Sequence, residues 1–355
     1  MELITKDFKN AVVKASKGCG NDKLAPLTTY MCLNVQNNLL YLRTTDGANF
    51  LVVKLPVKSK DFTAVVECDS FVNLIKKTTS EHITIELQDD SLHIKGNGKY
   101  TIACLLDEHG QPFEFPLVEN SFDLDNCDTV NVKSKVFKVV SDVCTASVAK
   151  VLDVPVLTGF YFGDCVLTTD SLKLCSFDVD VFKRPILLSA STIKLLTLFN
   201  EENVLVAFSN NDIIFKSDSM CLYASQMQDI ESYPVEVLQS LLDMQYSATC
   251  SVKKYLLLAT LERMSIFVNE YEKNAVMLHF TKQGLELSSK KANEIIPYDS
   301  SENFVEFSCL VELPKFKEQI NTLQEDTVLL KYGIEDNICI SENKIIHILS
   351  TMEES

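Results

Sequence analysis

The histidines are the side chains in this sequence that could most readily bind a metal ion or transfer a proton. The five lie at positions 82, 93, 109, 279 and 347. No two of them form an HxxxH or HExxH pair, and none lies at metal-ligand spacing from a cysteine. We therefore expect no metal site and interpret the histidines as surface or structural residues.

Other motifs that could support catalysis or cofactor binding are incomplete. The paired glycines in Lys17–Lys23 and Lys95–Tyr100 do not complete a phosphate-binding loop, and no GxSxG motif occurs. The acidic run Asp123–Asp128 lacks the glycine and the distal glutamate of a calcium loop. Asp46 and Asp170 each follow a Thr-Thr pair, which indicates side-chain-capped turns. No set of residues predicts an enzyme or a cofactor.

The lysines suggest a different chemistry, the binding of phosphates. Six segments with helical spacing of apolar residues contain 16 Lys or Arg and only 4 Asp or Glu, and the rest of the chain contains 17 and 45. These segments are residues 6–17, 70–77, 133–150, 189–199, 252–264 and 314–323. Lysine favours helices and could simply solvate an exposed face. Glutamate favours helices equally, so helix propensity does not explain the shortage of acidic residues.

If the six helices share one surface, that surface would attract a polyanion while the acidic remainder repels it. Lysine predominates over arginine, which favours diffuse, sequence-independent contact with double-stranded DNA over recognition of bases. The candidate DNA-facing residues are Lys6, Lys9, Lys14, Lys17, Lys76, Lys77, Lys133, Lys135, Lys138, Lys150, Lys194, Lys253, Lys254, Lys315 and Lys317.

Length and composition are those of an ordinary globular protein with several cores. The chain has 355 residues, of which 46% are hydrophobic and 23% charged, with a net charge of −16. No apolar run is long enough to span a bilayer, and the first residues do not resemble a signal peptide. We therefore expect a cytoplasmic protein with no membrane partner, whose twelve scattered cysteines are free thiols.

One structural module recurs three times along the chain. Ser70–Leu87, Ser189–Phe208 and Pro314–Tyr332 each combine a short amphipathic helix, a polar turn and an apolar strand. A repeat of about 120 residues indicates repeated whole domains. With linkers at Gly110–Ser121 and Asp229–Pro234, we predict domains at residues 1–120, 121–243 and 244–355.

The predicted fold class is α+β. Short turns such as Asp46-Gly47 join neighbouring strands into antiparallel hairpins, so each domain should pack two helices on antiparallel sheets. The expectation is six helices in total.

Three local motifs, in order along this repeat, resemble the bacterial replicative sliding clamp, the beta subunit of DNA polymerase III. They are LTTDSLKL from Leu167, ESYPVEVL from Glu231 and LERMSIFVNEYEKNAVMLHF from Leu261. The resemblance implies a head-to-tail homodimeric ring whose helices line a hole for DNA. It also implies loading by a clamp loader and tethering of polymerases, without catalysis.

The resemblance further implies a pocket between domains two and three that takes short linear peptides of the polymerase and the clamp loader. Three positions depart from the family pattern: Leu172 replaces a His, Leu238 an Arg and Ser350 a Met. The implied pocket residues are Phe162, Thr169, Ser171, Leu172, Lys173, Leu174, Pro234, Leu238, Ile348, Ser350 and Met352.

The same resemblance assigns the dimer interface to Tyr100 and Ile102 in domain one and to Ile266 and Phe267 in domain three. Because the pocket departs from the pattern, an alternative is a clamp-like interaction hub or decoy that is not retained on DNA. A DNA-processing hydrolase is a third and weaker hypothesis, since its metal-binding carboxylate cluster is missing from the sequence.

Overall fold

The computed structural model describes residues 1–20, 25–122, 127–209, 212–300, 303–334 and 336–353. The chain forms two compact units. Unit 1 comprises Met1–Lys135 and Ser191–Gln226, and unit 2 comprises Val136–Ala190 and Met227–Ser355. Residues 123–126 of the acidic run and residues 21–23 of the first glycine-containing segment lie outside the described residues.

The helices begin where the apolar spacing changes from that of a strand to that of a helix. In the first helix, Phe8, Ala11, Val12 and Ala15 form one buried face. The α-helices of the described residues are α1 Thr5–Ala15, α2 Cys68–Lys77, α3 Lys135–Cys144, α4 Ala190–Leu196, α5 Val235–Leu242, α6 Lys254–Met264 and α7 Leu313–Thr322.

The strands are short and mostly joined by tight turns. In order they are β1 Glu2–Ile4, β2 Tyr30–Gln36, β3 Leu39–Thr45, β4 Asn49–Pro56, β5 Phe62–Glu67, β6 His82–Gln88, β7 Ser91–Lys95, β8 Lys99–Ala103, β9 Asp128–Lys133, β10 Gly159–Phe162, β11 Val166–Thr169, β12 Lys173–Phe177, β13 Ile186–Ser189, β14 Asn203–Ser209, β15 Asp212–Lys216, β16 Met220–Ser225, β17 Ala248–Lys253, β18 Ala275–Thr281, β19 Gly284–Ser288, β20 Asn293–Ile296, β21 Asp299–Ser300, β22 Phe307–Glu312, β23 Thr327–Tyr332, β24 Asn337–Glu342 and β25 Ile345–Ser350.

Unit 1 contains two antiparallel sheets. Their strand orders are β1-β6-β7-β8 and β5-β2-β3-β4-β16-β15-β14-β9. Helices α1 and α2 pack against each other, and the rings of Phe8 and Phe71 meet edge to face with centroids 6.2 Å apart. Such a pair adds about 1 kcal/mol to the stabilisation from burial alone.

Unit 2 also contains two antiparallel sheets. Their orders are β13-β10-β11-β12-β25-β24-β23-β17-β21 and β20-β19-β18-β22. The rings of Phe280 and Tyr332 stack with centroids 3.8 Å apart in its core. The long sheet of each unit joins strands from two neighbouring predicted domains, for example β12 to β25 and β4 to β16.

The structure confirms the α+β class with antiparallel strands, and it corrects the helix predictions in detail. The helix predicted over 133–150 spans only Lys135–Cys144, because a 3-10 turn follows it and β9 precedes it. The expectation of six helices was wrong. The additional helix α5 begins directly after Pro234, between the predicted linker and the predicted domain boundary after residue 243.

The internal repeat is visible in individual hydrogen bonds. In unit 1, the Thr44 hydroxyl donates to the carbonyl of Ala15 at the end of α1, at 2.7 Å. In unit 2, the Thr168 hydroxyl donates to the carbonyl of Cys144 at the end of α3, at 2.8 Å. Each buried hydroxyl adds a hydrogen bond to the last carbonyl of its helix.

The described ranges contain neither a membrane-spanning helix nor a metal-binding cluster. No helix in those ranges is long and apolar enough to cross a membrane. The same residues contain no cluster of three or more His, Cys, Asp or Glu side chains arranged to hold a metal ion. Eight of the twelve cysteines are buried, as expected for thiols that serve as small core residues.

Candidate functional site

The turn between β11 and β12 presents several of the predicted pocket residues. The Asp170 carboxylate accepts hydrogen bonds from the backbone N–H groups of Leu172 and Lys173, at 3.0 and 2.7 Å. The Thr169 hydroxyl donates to the Lys173 carbonyl at 2.7 Å. The predicted side-chain-capped turn is therefore present, and it places Ser171 and Leu172 at its exposed tip.

The strands on either side of this turn divide the predicted pocket residues between the two faces of the sheet. Thr169 pairs with Leu174, and Leu174 pairs with Ile348, so these three side chains share one face. Phe162 lies on the opposite face, where its ring packs 4.8 Å from that of Phe182. Phe162 is a core residue, and the structure does not bring it to the other pocket positions.

Lys173 also points away from that shared face. Its buried ammonium group donates to the carbonyl of Ala146 and, at 2.8 Å, to Glu318 Oε2 on α7. Partial burial alone would raise the pKa of Glu318, but hydrogen bonds from Lys173 and then Lys150 lower it. Lys173 therefore fastens β12 to α7 and is not available to a ligand on the other face.

The shared face carries an apolar cluster that includes Leu174, Leu238 and Ile348. Leu238 comes from α5, so the unpredicted helix closes one side of the cluster. Its other buried members are Val156, Leu157, Leu167, Leu187, Tyr233 and Cys339.

Beside this cluster opens a cavity of about 550 Å³. Its floor is formed by Tyr161 and Tyr233, whose rings stack with centroids 5.1 Å apart. The Tyr233 hydroxyl donates to the Leu167 carbonyl at 3.1 Å, and burial raises the pKa of this tyrosine. Pro234 is the predicted pocket residue that lines the cavity directly.

The C-terminal residues of the predicted pocket extend away from this cavity. The Ser350 N–H donates to the Leu172 carbonyl at 2.9 Å, which ties the last strand to the turn. The Met352 N–H donates to the Leu310 carbonyl at 2.7 Å. Met352 lines a separate cavity of about 340 Å³ that also includes Tyr271 and Lys290.

Sequence reasoning missed the residues that form most of the first cavity. They are Tyr161, Pro185, Tyr233 and the segments from Ile230 to Ser232 and from Val235 to Val237. A signal was present in the sequence, because Pro234 is followed by apolar residues at helical spacing, which is a common start of a helix.

The five candidate DNA-facing lysines on α1 and α2 are solvent-accessible, and the described residues offer them no ion-pair partner. On α1 and α2, Lys6, Lys76 and Lys77 are exposed, and Lys9 and Lys14 are half-exposed, on the side opposite the buried faces. No carboxylate of the described residues lies within 4.0 Å of these five ammonium groups.

Further candidate lysines associated with unit 1 differ in their surroundings. Lys194 on α4 is exposed, Lys17 lies in the 3-10 turn after α1, and Lys135 begins α3. Lys133 lies on β9, 3.8 Å from Glu202. Lys17 and Lys133 therefore are not on α-helices.

The candidate lysines of unit 2 are mostly engaged with neighbouring groups. Four form ion pairs, and Lys254 donates to the Leu323 carbonyl. Lys253 lies on β17 and Lys150 follows the end of the α3 segment, so neither is on an α-helix. The ion pairs are Lys138–Asp142 at 3.2 Å, Lys150–Glu318 at 3.1 Å, Lys315–Glu312 at 2.6 Å and Lys317–Glu262 at 3.5 Å.

The predicted interface residues lie at strand edges or beside them. Tyr100 and Ile102 are on β8, which pairs only with β7 among the described residues. Ile266 and Phe267 follow α6 and are 76% and 41% exposed, which is unusual for large apolar side chains.

The end of α6 is fastened to another sheet edge. Arg263 on this helix donates to Glu294 on β20 at 2.6 and 2.8 Å. In the described residues β20 pairs only with β19, and its Ile295 is 53% exposed. Ile266 and Phe267 therefore follow a helix that is held against this edge.

The chain resembles one known protein family in sequence and several solved structures in fold. Residues 1–116 match the family model described as DNA polymerase III beta subunit, N-terminal domain. No curated protein sequence matches the chain.

Three solved structures have the same fold over nearly their whole length. The beta subunit of Thermotoga maritima superposes with a TM-score of 0.87 at 13% identity, covering 100% of this chain and 99% of that one. The beta subunit of Borrelia burgdorferi, in complex with a natural product, gives 0.86 at 17% identity with the same coverage. The sliding clamp of Bacillus subtilis gives 0.84 at 14% identity, again covering 100% and 99%.

These matches confirm the resemblance noted in the sequence. Residues 1–116 match the N-terminal domain of the DNA polymerase III beta subunit, and the chain as a whole has the fold seen in the sliding clamps.

Proposed function

We propose that this protein is a DNA sliding clamp, a homodimeric ring that encircles duplex DNA and tethers polymerases to it without catalysis of its own. Three clamp domains, at residues 1–120, 121–243 and 244–355, would form each half of the ring. The proposal rests on two strands at sheet edges, β8 and β20. They hold positions equivalent to those of strands that join neighbouring domains within each unit.

Within each unit, the strand that follows a capped turn pairs with the last strand of the next predicted domain. We call this pattern the repeat rule. In unit 1, Asn49 follows the capped turn and pairs with Ala224 on β16. In unit 2, Lys173 follows the equivalent turn and pairs with Leu349 on β25. The β19–β20 hairpin has a matching turn, in which the Ser289 N–H donates to the Ala292 carbonyl at 2.8 Å. Ala292 is therefore structurally equivalent to Asn49 and Lys173 in the repeat.

Strand β8 is the counterpart of β16 and β25. Ala103 ends β8 opposite Ser91, just as Ser225 and Ser350 end their strands opposite Asp212 and Asn337. Ile102 therefore corresponds to Ala224 and Leu349. If two subunits pair by the same repeat rule, Ile102 lies opposite Ala292 of the partner subunit, and Thr101 lies opposite Asn293 of the partner subunit.

This pairing would close two open edges and cover exposed apolar side chains, both of which otherwise favour aggregation. The exposed Tyr100 and Ile295 belong to these strands, and Ile266 and Phe267 lie beside β20 through the Arg263 contact. An isologous pairing would instead join β8 to a second β8.

A cysteine cross-link tests this register. Thr101→Cys with Asn293→Cys should give a covalent dimer on mild oxidation, because directly opposed residues of paired strands lie within disulfide distance. The matched control is Thr101→Cys with Ser308→Cys, since β22 forms the opposite edge of the same sheet. Equal cross-linking of both pairs, or a monomer by light scattering, would contradict the ring.

Two functional surfaces complete the proposal. The lysines of α1, α2 and the other helices would contact DNA phosphates without reading bases, which permits sliding. The cavity beside Tyr161 and Tyr233 would take short linear peptides of a polymerase and a clamp loader. We propose that the protein works in the cytoplasm on the chromosome or another duplex.

A further inference from the structure

The cavity in unit 2 has acidic walls. Among the described residues that line it, the charged ones are Glu231 and Glu236, and both are exposed. No Lys, Arg or His is among these lining residues. The remaining wall is largely apolar, with Ile230, Val235 and Val237 around the stacked tyrosines.

Further carboxylates surround this opening. Burial, and then the neighbouring Asp164 carboxylate, raise the pKa of Tyr161, so that aspartate acts on the floor of the cavity. Asp229 precedes the lining segment and is also exposed. The charged side chains that line the cavity are therefore acidic, and they attract cations.

The nearest basic residues do not neutralise this charge from within the cavity. Lys173 lies on the other face of the sheet, where Glu318 and the Ala146 carbonyl hold its ammonium group. Lys183 and Arg184 precede Pro185 in the chain but are not among the lining residues.

Building on the proposed peptide-binding function, we propose that this cavity selects peptides in which an apolar anchor is flanked by lysine or arginine. The anchor enters between the tyrosines and Val235, and the flanking cations pair with Glu231 and Glu236. A peptide with acidic flanks meets like charges at the same places.

The expected preference is modest because the carboxylates are exposed. Each exposed ion pair improves affinity by up to about fivefold, and two of them together with relief of repulsion favour the basic peptide by about tenfold. The preference should shrink at about 0.5 M salt, where charges more than a few ångströms apart are screened.

The test uses two fluorescein-labelled peptides with the same Leu-Phe anchor, one flanked by lysines and the other by glutamates. Fluorescence anisotropy with the full-length protein should show about tenfold tighter binding of the lysine-flanked peptide at low salt. The Glu231→Lys, Glu236→Lys double variant should reverse the order. The matched control, Glu81→Lys with Glu86→Lys, makes the same change in net charge on exposed residues of unit 1 and should keep the original order.

The outcomes separate this inference from the proposed function. If both peptides bind equally and the Glu231, Glu236 variant changes neither, the protein binds peptides but the charge preference is wrong. If neither peptide binds, the peptide-binding role itself is wrong. If the control variant reverses the order as well, net charge and not the cavity wall determines the preference, and the inference is overturned. The corresponding Gln variants, which only remove charge, should abolish the preference without reversing it.

Discussion

The two units differ in what their helix lysines contact. In unit 1, the ammonium groups of α1 and α2 have no carboxylate within ion-pair distance among the described residues. In unit 2, Lys138, Lys315 and Lys317 each lie within 3.5 Å of a carboxylate. A phosphate can therefore approach unit 1 lysines at once, but in unit 2 it must compete with an existing partner. Lysine counts alone overstate the DNA-binding capacity of unit 2.

The units also differ where their linker segments cross the long sheets. In unit 1, Arg43 donates to Glu119 at 2.8 Å and to Asn34 at 3.3 Å. The nearby groove of about 1120 Å³ has both polar and apolar walls, with Asn34 and Thr63 beside Phe113 and Phe115. In unit 2, Tyr233 anchors the linker and α5 adds an apolar wall. The same position in the repeat thus carries a charged anchor, Arg43 with Glu119, in one unit and an aromatic anchor, Tyr233, in the other.

The largest expected effect follows from the lysine comparison. Replacing Lys6, Lys9 and Lys76 by alanine removes six lysines from the proposed dimer. If at least three of them contact phosphates at one time, binding to a linear duplex should weaken by at least about 100-fold at about 0.15 M salt and the salt slope should fall by at least about 2.7. Fluorescence anisotropy over a salt series measures both quantities.

The matched control deletes three ion pairs of unit 2 as whole pairs, namely Lys138 with Asp142, Lys315 with Glu312 and Lys317 with Glu262. Because each pair is nearly neutral, its removal should change affinity by less than about threefold. An equal loss in both sets would show that the ion pairs open on DNA and that the two units do not differ.

The equivalent turns give the next largest effect. Lys173→Ala leaves the Ala146 carbonyl without its partner and Glu318 partly unpaired, which should cost about 2 to 3 kcal/mol of unfolding free energy. Asn49→Ala in unit 1 loses hydrogen bonds with Asp46, Ser191 and Thr192 and should cost about 2 kcal/mol. Urea unfolding compares the two. A loss below about 0.5 kcal/mol for Lys173→Ala would show that the contact with α7 does not stabilise unit 2.

A buried histidine makes unit 2 sensitive to acid. Burial, and then the positive charge of Lys173, lower the pKa of His347 to about 3. The unfolded chain takes up this proton near pH 6.5, so stability is lost as the pH falls from about 6.5 towards 3, by about 2 kcal/mol at pH 5.

His347→Gln can still bond to Thr322 and should remove this part of the acid sensitivity, measured by thermal unfolding at pH 7 and pH 5. His109→Gln, at an exposed position, is the control and should not alter the pH dependence. If both variants lose stability at pH 5 as the parent does, His347 is not the acid-sensitive group.

The smallest effect concerns the linker anchor of unit 2. Tyr233→Phe removes the hydrogen bond to the Leu167 carbonyl but keeps the stacked ring, and should cost about 1 kcal/mol in unfolding free energy. Peptide affinity should change by less than about threefold, because the cavity floor is preserved. A much larger loss of affinity would mean that the hydroxyl itself positions the peptide.

The sequence predicted those features that are specified by residues close together in the chain, namely the capped turns and most of the helices. The Thr-Thr-Asp motifs specify capped turns at Asp46 and Asp170 through side chains two or three residues apart. Apolar spacing placed the helices to within a few residues. At α5, apolar residues at the same spacing follow Pro234, but only the linker Asp229–Pro234 was predicted there and no helix after it.

Contacts between distant residues could not be predicted in this way. Lys173 and Leu174 are neighbours, yet they occupy opposite faces of β12, and only the pairing with β25 fixes which face binds α7. Phe162 was assigned to the pocket by the resemblance alone, and its pairing with Val166 places it on the face opposite to that of Leu174. The ion pair of Lys150 with Glu318 joins residues 168 positions apart, so lysine content gave no indication that this charge is already matched.

Retention on closed DNA is the measurement that tests the ring most directly. The Thr101→Cys, Asn293→Cys variant is mixed in reduced form with a nicked circular plasmid, oxidised to close the dimer, and washed at about 1 M salt, where phosphate contacts are screened. The account predicts that the protein stays on the circle and is released when a restriction enzyme linearises it. Release from the circle during the wash, or persistence on the linear product, would contradict encirclement.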